Sequence, residues 1–311
     1  MPGSKYPVGS GGWLLRELKG AKPFDKSVIF SLKIIYLGTR AVLKLFLGKE
    51  EREKFCLKYR VNFYDFLYRA IEFLRLDNSV LVVFTSPKYG YKFYSRITRK
   101  VNNLLIHDVY ASMTDHEEEV LEQFSPNIGD IVVDVGAAFG FYTIMSSKKV
   151  GHHGKVVAIE PQPDIFGILN KNINLNKLTN VITLNYAVSS KKSTLRLYST
   201  YSTIPERAGQ SLESYIEVSA DTLDNLLGQL DIHEVNWIKV DVEGAELEVL
   251  KGAAGILSKS REISILVEVH SPDLVKPILE LSKSYHLTVQ FEKTYEGGNK
   301  HLLLRRINNV K

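Results

Sequence analysis

Ile131-Val132-Val133-Asp134-Val135-Gly136-Ala137-Ala138-Phe139-Gly140-Phe141-Tyr142-Thr143 sets a short apolar run against a turn punctuated by two glycines and then a helical pattern. The run predicts a strand over 131–135, and the pattern after Gly140 predicts a helix. Glycines at 136 and 140 permit a tight turn and let a ligand approach the backbone, while the first turn of the helix offers unpaired N–H groups. The same strand-then-helix alternation continues outward from this stretch. A helix is expected over 117–124, and further strands over 155–159, 181–185, 237–241, 263–269, 287–292 and 302–305. Helices are expected over 164–176, 243–257 and 274–284. Strict alternation implies an α/β fold, a mostly parallel sheet with helices on both faces, whose ligands bind beyond the carboxyl ends of the strands.

The residues that end each strand therefore decide the chemistry. The second strand ends in Glu160, about 20 residues after the glycine turn, where a carboxylate can accept both hydroxyls of a ribose. Together with Gly136 and Gly140 this indicates an adenosine-type cofactor. Nicotinamide enzymes favour G-x-G-x-x-G over a pyrophosphate, whereas Ala138 stands here at the middle position and the acidic Asp134 stands before the turn. An acid suits a cationic ligand better than a diphosphate. S-adenosylmethionine, with its sulfonium and ammonium charges, matches that electrostatics.

A third stretch, Trp237-Ile238-Lys239-Val240-Asp241-Val242-Glu243-Gly244-Ala245-Glu246-Leu247-Glu248-Val249-Leu250-Lys251-Gly252-Ala253, places Asp241 and Glu243 at a strand end and more acids in the first turn of a helix. With Asp134 to Gly140, Glu160-Pro161-Gln162-Pro163, Thr222-Leu223-Asp224 and Val267-Glu268-Val269-His270, it closely resembles the FkbM-type family of S-adenosylmethionine-dependent methyltransferases over about residues 106–295. The resemblance implies the class I methyltransferase (Rossmann-like) fold, a seven-stranded mostly parallel sheet with an antiparallel strand in the final hairpin. It also implies methylation of a hydroxyl on a sugar, glycolipid or polyketide-like acceptor. Relatives usually carry asparagine where this chain has Ala138, so one polar contact to the cofactor is expected to be absent or replaced.

The expected cofactor set is Asp134, Gly136, Ala138, Gly140, Tyr142, Glu160 and Asp241. Methyl transfer to an alcohol needs alignment and removal of the hydroxyl proton. His270, ending the strand beside Asp241, is the first candidate base, and a histidine capping the next helix is the alternative. Asp241 serves either the acceptor or the methionine ammonium. Glu243 serves either catalysis or the helix N-terminus, where negative charge is favoured. Asp241, Glu243 and His270 could ligate a cation, but the chain offers no further dense ligand cluster, and no metal is expected. His152-His153, between glycines, is expected in solvent. The one cysteine, Cys56, excludes a disulfide framework and a thiol-rich zinc site, and indicates a reducing compartment. Cys56 also lies outside the core, which excludes carbon methylation through a cysteine adduct. No Asn/Asp-Pro-Pro-aromatic tetrapeptide follows the Asp241 strand, which disfavours amino methylation.

Hydrophobic residues at 44% and charged residues at 24% are ordinary for a folded protein. The pI near 9.0 is unevenly founded. Residues 1–60 hold 13 Lys and Arg against 5 Asp and Glu, a net of +8, whereas the rest holds 27 against 30, a net of −3. Basicity thus belongs to an N-terminal extension over 1–105, and the cofactor domain is expected over 106–311. Nucleic acid is an unlikely partner on this ground, though an RNA methyltransferase remains the runner-up enzyme. A membrane-bound protein that keeps the fold without activity is a third reading. Within the extension, 27–47 is apolar but carries Lys33, Arg40 and Lys44, which with Lys26 fall within roughly 40° of one another on a helix. A spanning helix would lose up to about 3 kcal/mol for each central cation. Three placements follow: flat on an anionic membrane surface, packed on the catalytic domain, or spanning. The start of the chain does not read as a signal peptide. The expected location is cytoplasmic, at the inner membrane surface if 26–47 binds lipid. A second aromatic-striped helix is expected over 50–76, and a hairpin over 79–105. The insertion over 189–235 holds strand-like 195–198 and 215–218 and a loop with Tyr201, Arg207 and Gln210 that serves as an acceptor lid or as solvated decoration.

Overall fold

In the computed structural model, residues 81–85, 89–96, 118–198, 215–295 and 298–306 are described. The helices expected over 27–47 and 50–76, the acceptor-lid loop and Cys56 lie outside them. Among the described residues no helix is long and apolar enough to cross a membrane. The chain divides into two compact units, Met1–Met113 and Thr114–Lys311. The first contains the expected hairpin: β1 (Leu81–Thr85) pairs antiparallel with β2 (Lys92–Arg96), with Leu81 opposite Arg96 and Thr85 opposite Lys92.

The second unit is built on one seven-stranded sheet. Its strands are β3 (Ile131–Val135), β4 (Lys155–Ile159), β5 (Val181–Leu184), β9 (Trp237–Val240), β10 (Ile263–Val269), β11 (Thr288–Thr294) and β12 (Lys300–Arg306), in the order β11-β12-β10-β9-β3-β4-β5. β10, β9, β3, β4 and β5 run parallel, and β12 pairs antiparallel with both β10 and β11. This is the class I methyltransferase arrangement. Parallel strands covered on both faces read as continuous apolar runs. Val132, Val133, Val156, Val157, Ile265, Leu266 and Val267 are accordingly buried without exposure. Each such side chain contributes about 1.5 to 3 kcal/mol when taken from water.

Helices α1 (Glu118–Gln123), α2 (Phe141–Val150), α3 (Pro163–Leu175), α4 (Leu223–Gly228), α5 (Glu246–Lys251), α6 (Ala254–Lys259) and α7 (Pro272–Ser284) connect and cover the strands. The single helix expected over 243–257 is two. Gly252, which divides α5 from α6, lies where an added Cβ would stand 2.0 Å from the Ser189 carbonyl oxygen. Asp224 then caps the new start, accepting from the N–H groups of Gly255 at 2.7 Å and Ile256 at 2.9 Å. A side chain from another element thus supplies the partners that a continuous helix would have found in itself. The insertion forms a separate three-stranded sheet, β6 (Ala187–Val188), β8 (Tyr215–Asp221) and β7 (Ser193–Tyr198). β6, only two residues long, carries too little pattern to be read from sequence.

Side chains alternate across a strand, and the register turns this into a division of labour. Val133, Val135, Ile238, Val240, Ile265 and Val267 share the apolar core. Their neighbours put Asp134 directly opposite Lys239 and Glu268 directly opposite His301 on the other face. That face is polar at the carboxyl ends of the strands.

Candidate functional site

β3 and β9 are neighbours whose following connections diverge, which opens the crevice where ligands bind in such sheets. Its floor is the turn after β3. Gly136 has φ 79 and Gly140 φ 89, and a Cβ on Gly136 would stand 1.8 Å from the Asp241 carbonyl oxygen. The two strand ends therefore touch through a position only glycine can fill. Gly136→Ala is expected to block this closure and abolish cofactor binding, read by calorimetry on protein whose folding is followed by circular dichroism.

Four amides of the turn are already engaged. Gly136 and Ala137 donate to the Ile159 carbonyl at 3.0 Å, Gly140 donates to the Ala137 carbonyl at 2.8 Å, and Ala138 donates to Glu160 Oε2 at 3.0 Å. Such a turn holds no nest of free amides for a diphosphate. Ala138 meets the cofactor side through Glu160, whose other oxygen accepts from the Gln162 N–H at 2.9 Å. A carboxylate has about four lone-pair sites, so these two bonds do not exhaust it. Asn185 fixes the strand end by donating to the carbonyls of Glu160 and Pro161.

Ala138 sits at φ 46, a left-handed conformation that costs an L-residue about 1 to 2 kcal/mol and that asparagine tolerates better. Ala138→Gly is expected to raise stability by up to about 1 kcal/mol, read as a higher melting temperature.

Burial pushes the Glu160 pKa up to about 7 against two opposing backbone hydrogen bonds, with the charges of Asp134 and Asp241 adding to the rise. Between pH 4.5 and 7 the folded protein therefore holds a proton that the unfolded chain has lost. Stability of the ligand-free protein falls as pH rises through that window and levels above it. Hydroxyl donors on the carboxylate favour its ionised form. S-adenosylhomocysteine affinity is expected to rise between about pH 6 and pH 8 with proton release on binding, a slope that Glu160→Gln removes.

Asp134 is engaged by partners within the protein. It is 1% exposed, accepts a hydrogen bond from Thr143 Oγ1 at 2.5 Å and ties the first turn of α2 to β3. Burial raises its pKa, and Lys239 opposes the rise. Tyr142 is also committed to the protein: its ring packs edge-on against Phe124 at 5.2 Å and lies 4.7 Å from the Lys239 ammonium. Both were expected at the cofactor, and both have these partners within the protein. His152 and His153 are exposed, as expected.

Beyond β9 and β10 the acids converge. Lys239, 2% exposed, donates to Asp241 Oδ2 at 2.7 Å. Burial works against its charge, but Asp241, Glu268 and Asp134 more than offset that, and its pKa is raised. His270 Nδ1 donates to Glu246 Oε1 at 2.8 Å, and Glu246 is wholly buried and also accepts from the Gly244 N–H at 2.7 Å. The other ring nitrogen, Nε2, lies 3.6 Å from Asp241 Oδ1, 3.5 Å from Glu243 Oε2 and 3.6 Å from Glu268 Oε1. His301 Nε2 stands 3.3 Å from the second oxygen of Glu268. Burial opposes charge on His270, yet the bond to Glu246 and the charges of Asp241, Glu243 and Glu268 raise its pKa to about 9. The ring expected to act as general base thus stands among four carboxylates, Asp241, Glu243, Glu246 and Glu268. Glu243 adopts φ 53 before Gly244 at φ 108, so its side chain enters the cluster from a tight left-handed turn rather than from a helix N-terminus. Burial raises its pKa.

Sequence reasoning brought together Asp241, Glu243 and His270 and passed over Lys239, Glu246 and His301. A lysine inside an apolar strand was the available signal for the first. Glu268, two residues before His270 on the same face of β10, follows from strand alternation.

Comparison with known proteins agrees with the geometry. Residues 134–286, which contain Asp134, Glu160, Asp241, Glu243, Glu246, Glu268 and His270, match the family model of the Methyltransferase FkbM domain. The hexuronic acid methyltransferase AglP of Haloferax volcanii is 30% identical over 164 residues, 53% of this chain and 66% of that protein. Methyltransferase sdnD of Sordaria araneosa is 28% identical over 186 residues, 48% of this chain and 70% of that protein. A crystal structure of a SAM-dependent methyltransferase from Aquifex aeolicus is 17% identical, covering 61% of this chain and 89% of that one with a TM-score of 0.39. With its glycine turn, its buried carboxylate after β4 and its acid-rich strand ends in place, the chain carries over residues 134–286 an FkbM methyltransferase domain, whose cofactor is S-adenosylmethionine.

Proposed function

We propose that this protein methylates a hydroxyl group of a sugar, a lipid-linked glycan or a related small acceptor. The observation that carries this reading is the convergence of Asp241 Oδ1, Glu243 Oε2 and His270 Nε2 at the strand end that touches the cofactor turn through Gly136. The sugar acceptor is further supported by the hexuronic acid specificity in the name of one relative.

S-adenosylmethionine, when bound, would supply an electrophilic methyl group on a sulfonium, whose carbon–sulfur bond breaks as the oxygen–carbon bond forms, with S-adenosylhomocysteine as the neutral leaving group. The protein's own residues align the partners and take the proton. Glu160 holds the ribose, and the Gly136 turn brings the cofactor against β9. Asp241 and Glu243 keep 31% and 39% of their side chains exposed, whereas Glu246 is wholly buried. They are therefore the carboxylates that an acceptor hydroxyl can reach, and Asp241 takes its proton. Lys239, bonded to the other oxygen of Asp241, keeps that carboxylate in place. Glu246 and His270 position the cluster from below.

Glycans and lipids extracted from cells with and without the protein, compared by mass spectrometry, test the reading. The expected result is an acceptor that lacks one methyl increment when the protein is absent and regains it with the wild type but not with Asp241→Asn. A methylated RNA nucleoside changing instead would overturn it.

A further inference from the structure

We propose that Asp241, Glu243 and His270 share a divalent cation, through Asp241 Oδ1, Glu243 Oε2 and His270 Nε2. The proposal rests on the reading of the same site as the acceptor-binding cluster and changes one role in it: with Oδ2 on Lys239 and Oδ1 on the ion, Asp241 would anchor the cation that acidifies the acceptor hydroxyl, whose proton then leaves to solvent. The three ligand atoms all lie within 4.8 Å of one another. Nε2 stands 3.5 and 3.6 Å from the two carboxylate oxygens, at or past the outer limit of a hydrogen bond. Atoms bound to one ion at about 2.1 Å stand roughly 3 to 3.4 Å apart, so a small closure of these side chains around an ion completes the set.

Two features outside the three ligands point the same way. His270 gives its Nδ1 hydrogen to Glu246, a buried carboxylate on a different element, and this leaves Nε2 directed at Asp241 and Glu243. A metal-binding histidine is ordinarily held by such a carboxylate, which fixes the ring and its tautomer. Glu246 also has an oxygen, Oε2, that is buried and has no hydrogen-bond partner among the described residues. Among the described residues its other oxygen, Oε1, meets the imidazole and the Gly244 N–H. Among the described residues Lys239 bonds Oδ2 of Asp241, and His301 stands against Glu268. The free Oδ1 faces the imidazole.

Two carboxylates and one imidazole form a mixed hard and borderline donor set that suits Mn2+ and related first-row cations. Three protein ligands leave positions open on the ion. An acceptor offering two neighbouring oxygens, such as a vicinal diol or a hydroxyl beside a carboxylate, can fill them. Glu246 is a positioning residue in this arrangement, acting on the ion through His270.

Full-length protein treated with chelator and titrated with Mn2+, followed by the electron paramagnetic resonance signal of free Mn2+, tests this directly. One saturable site per chain is expected. Asp241→Asn, Glu243→Gln and His270→Ala should each weaken it by about 10-fold or more, and Glu246→Gln by about 10-fold although it does not touch the ion. S-adenosylhomocysteine binding by each variant reports that it is folded. Glu160→Ala should keep the Mn2+ site while losing S-adenosylhomocysteine, so failure of the cation inference and failure of the methyltransferase reading are separable. Absence of saturable Mn2+ uptake by the wild type, or variants that bind Mn2+ as tightly as it does, would overturn the proposal and leave a protonated His270 as the charge that balances the cluster.

Discussion

Lys239→Met is expected to destabilise the protein by about 3 to 5 kcal/mol, the cost of leaving buried acids without their cation. The lysine is 2% exposed, bonded to Asp241 at 2.7 Å and placed opposite Asp134 by the register of β3 and β9. Methionine keeps nearly the same volume, so the loss is electrostatic rather than a cavity. Chemical denaturation reads the effect. The companion Lys239→Met, Asp134→Asn should recover part of it, because one of the stranded charges is removed with the lysine. A single substitution that costs less than about 1 kcal/mol would mean that water reaches these acids and screens them.

Asp241→Asn is expected to lower turnover by about 100-fold or more while changing S-adenosylhomocysteine affinity only a few-fold. Asparagine keeps the shape and can still meet Lys239, but it cannot take the proton of an acceptor hydroxyl. Turnover measured at saturating cofactor separates this from a binding defect. A loss confined to cofactor affinity would move Asp241 to the methionine ammonium, the alternative left open by its place at a strand end.

The fold was legible because parallel strands buried on both faces leave continuous apolar runs, and because β3, β4, β9 and β10 are each followed by a helix. Glu160, Asp241 and His270 were legible because each directly ends a strand. What escaped the sequence depends on contacts between residues far apart in the chain. Lys239 is tolerable inside an apolar strand only because Asp134 and Glu268 arrive from its two neighbours in the sheet. The break between α5 and α6 needs the Ser189 carbonyl beside Gly252. Glu246 against the His270 ring and Thr143 against the Asp134 carboxylate are likewise partners that strand ends alone do not reveal. Local pattern gives direction along the chain; it does not give the partner on the facing side.

Calorimetry of S-adenosylhomocysteine and of NADH with the purified protein tests the central claim most directly. The account predicts one S-adenosylhomocysteine site per chain, weakened by Glu160→Ala by about 1 to 3 kcal/mol through loss of hydrogen bonds to a charged acceptor, and no tight NADH binding. Tight binding of NADH with no response to S-adenosylhomocysteine would contradict it.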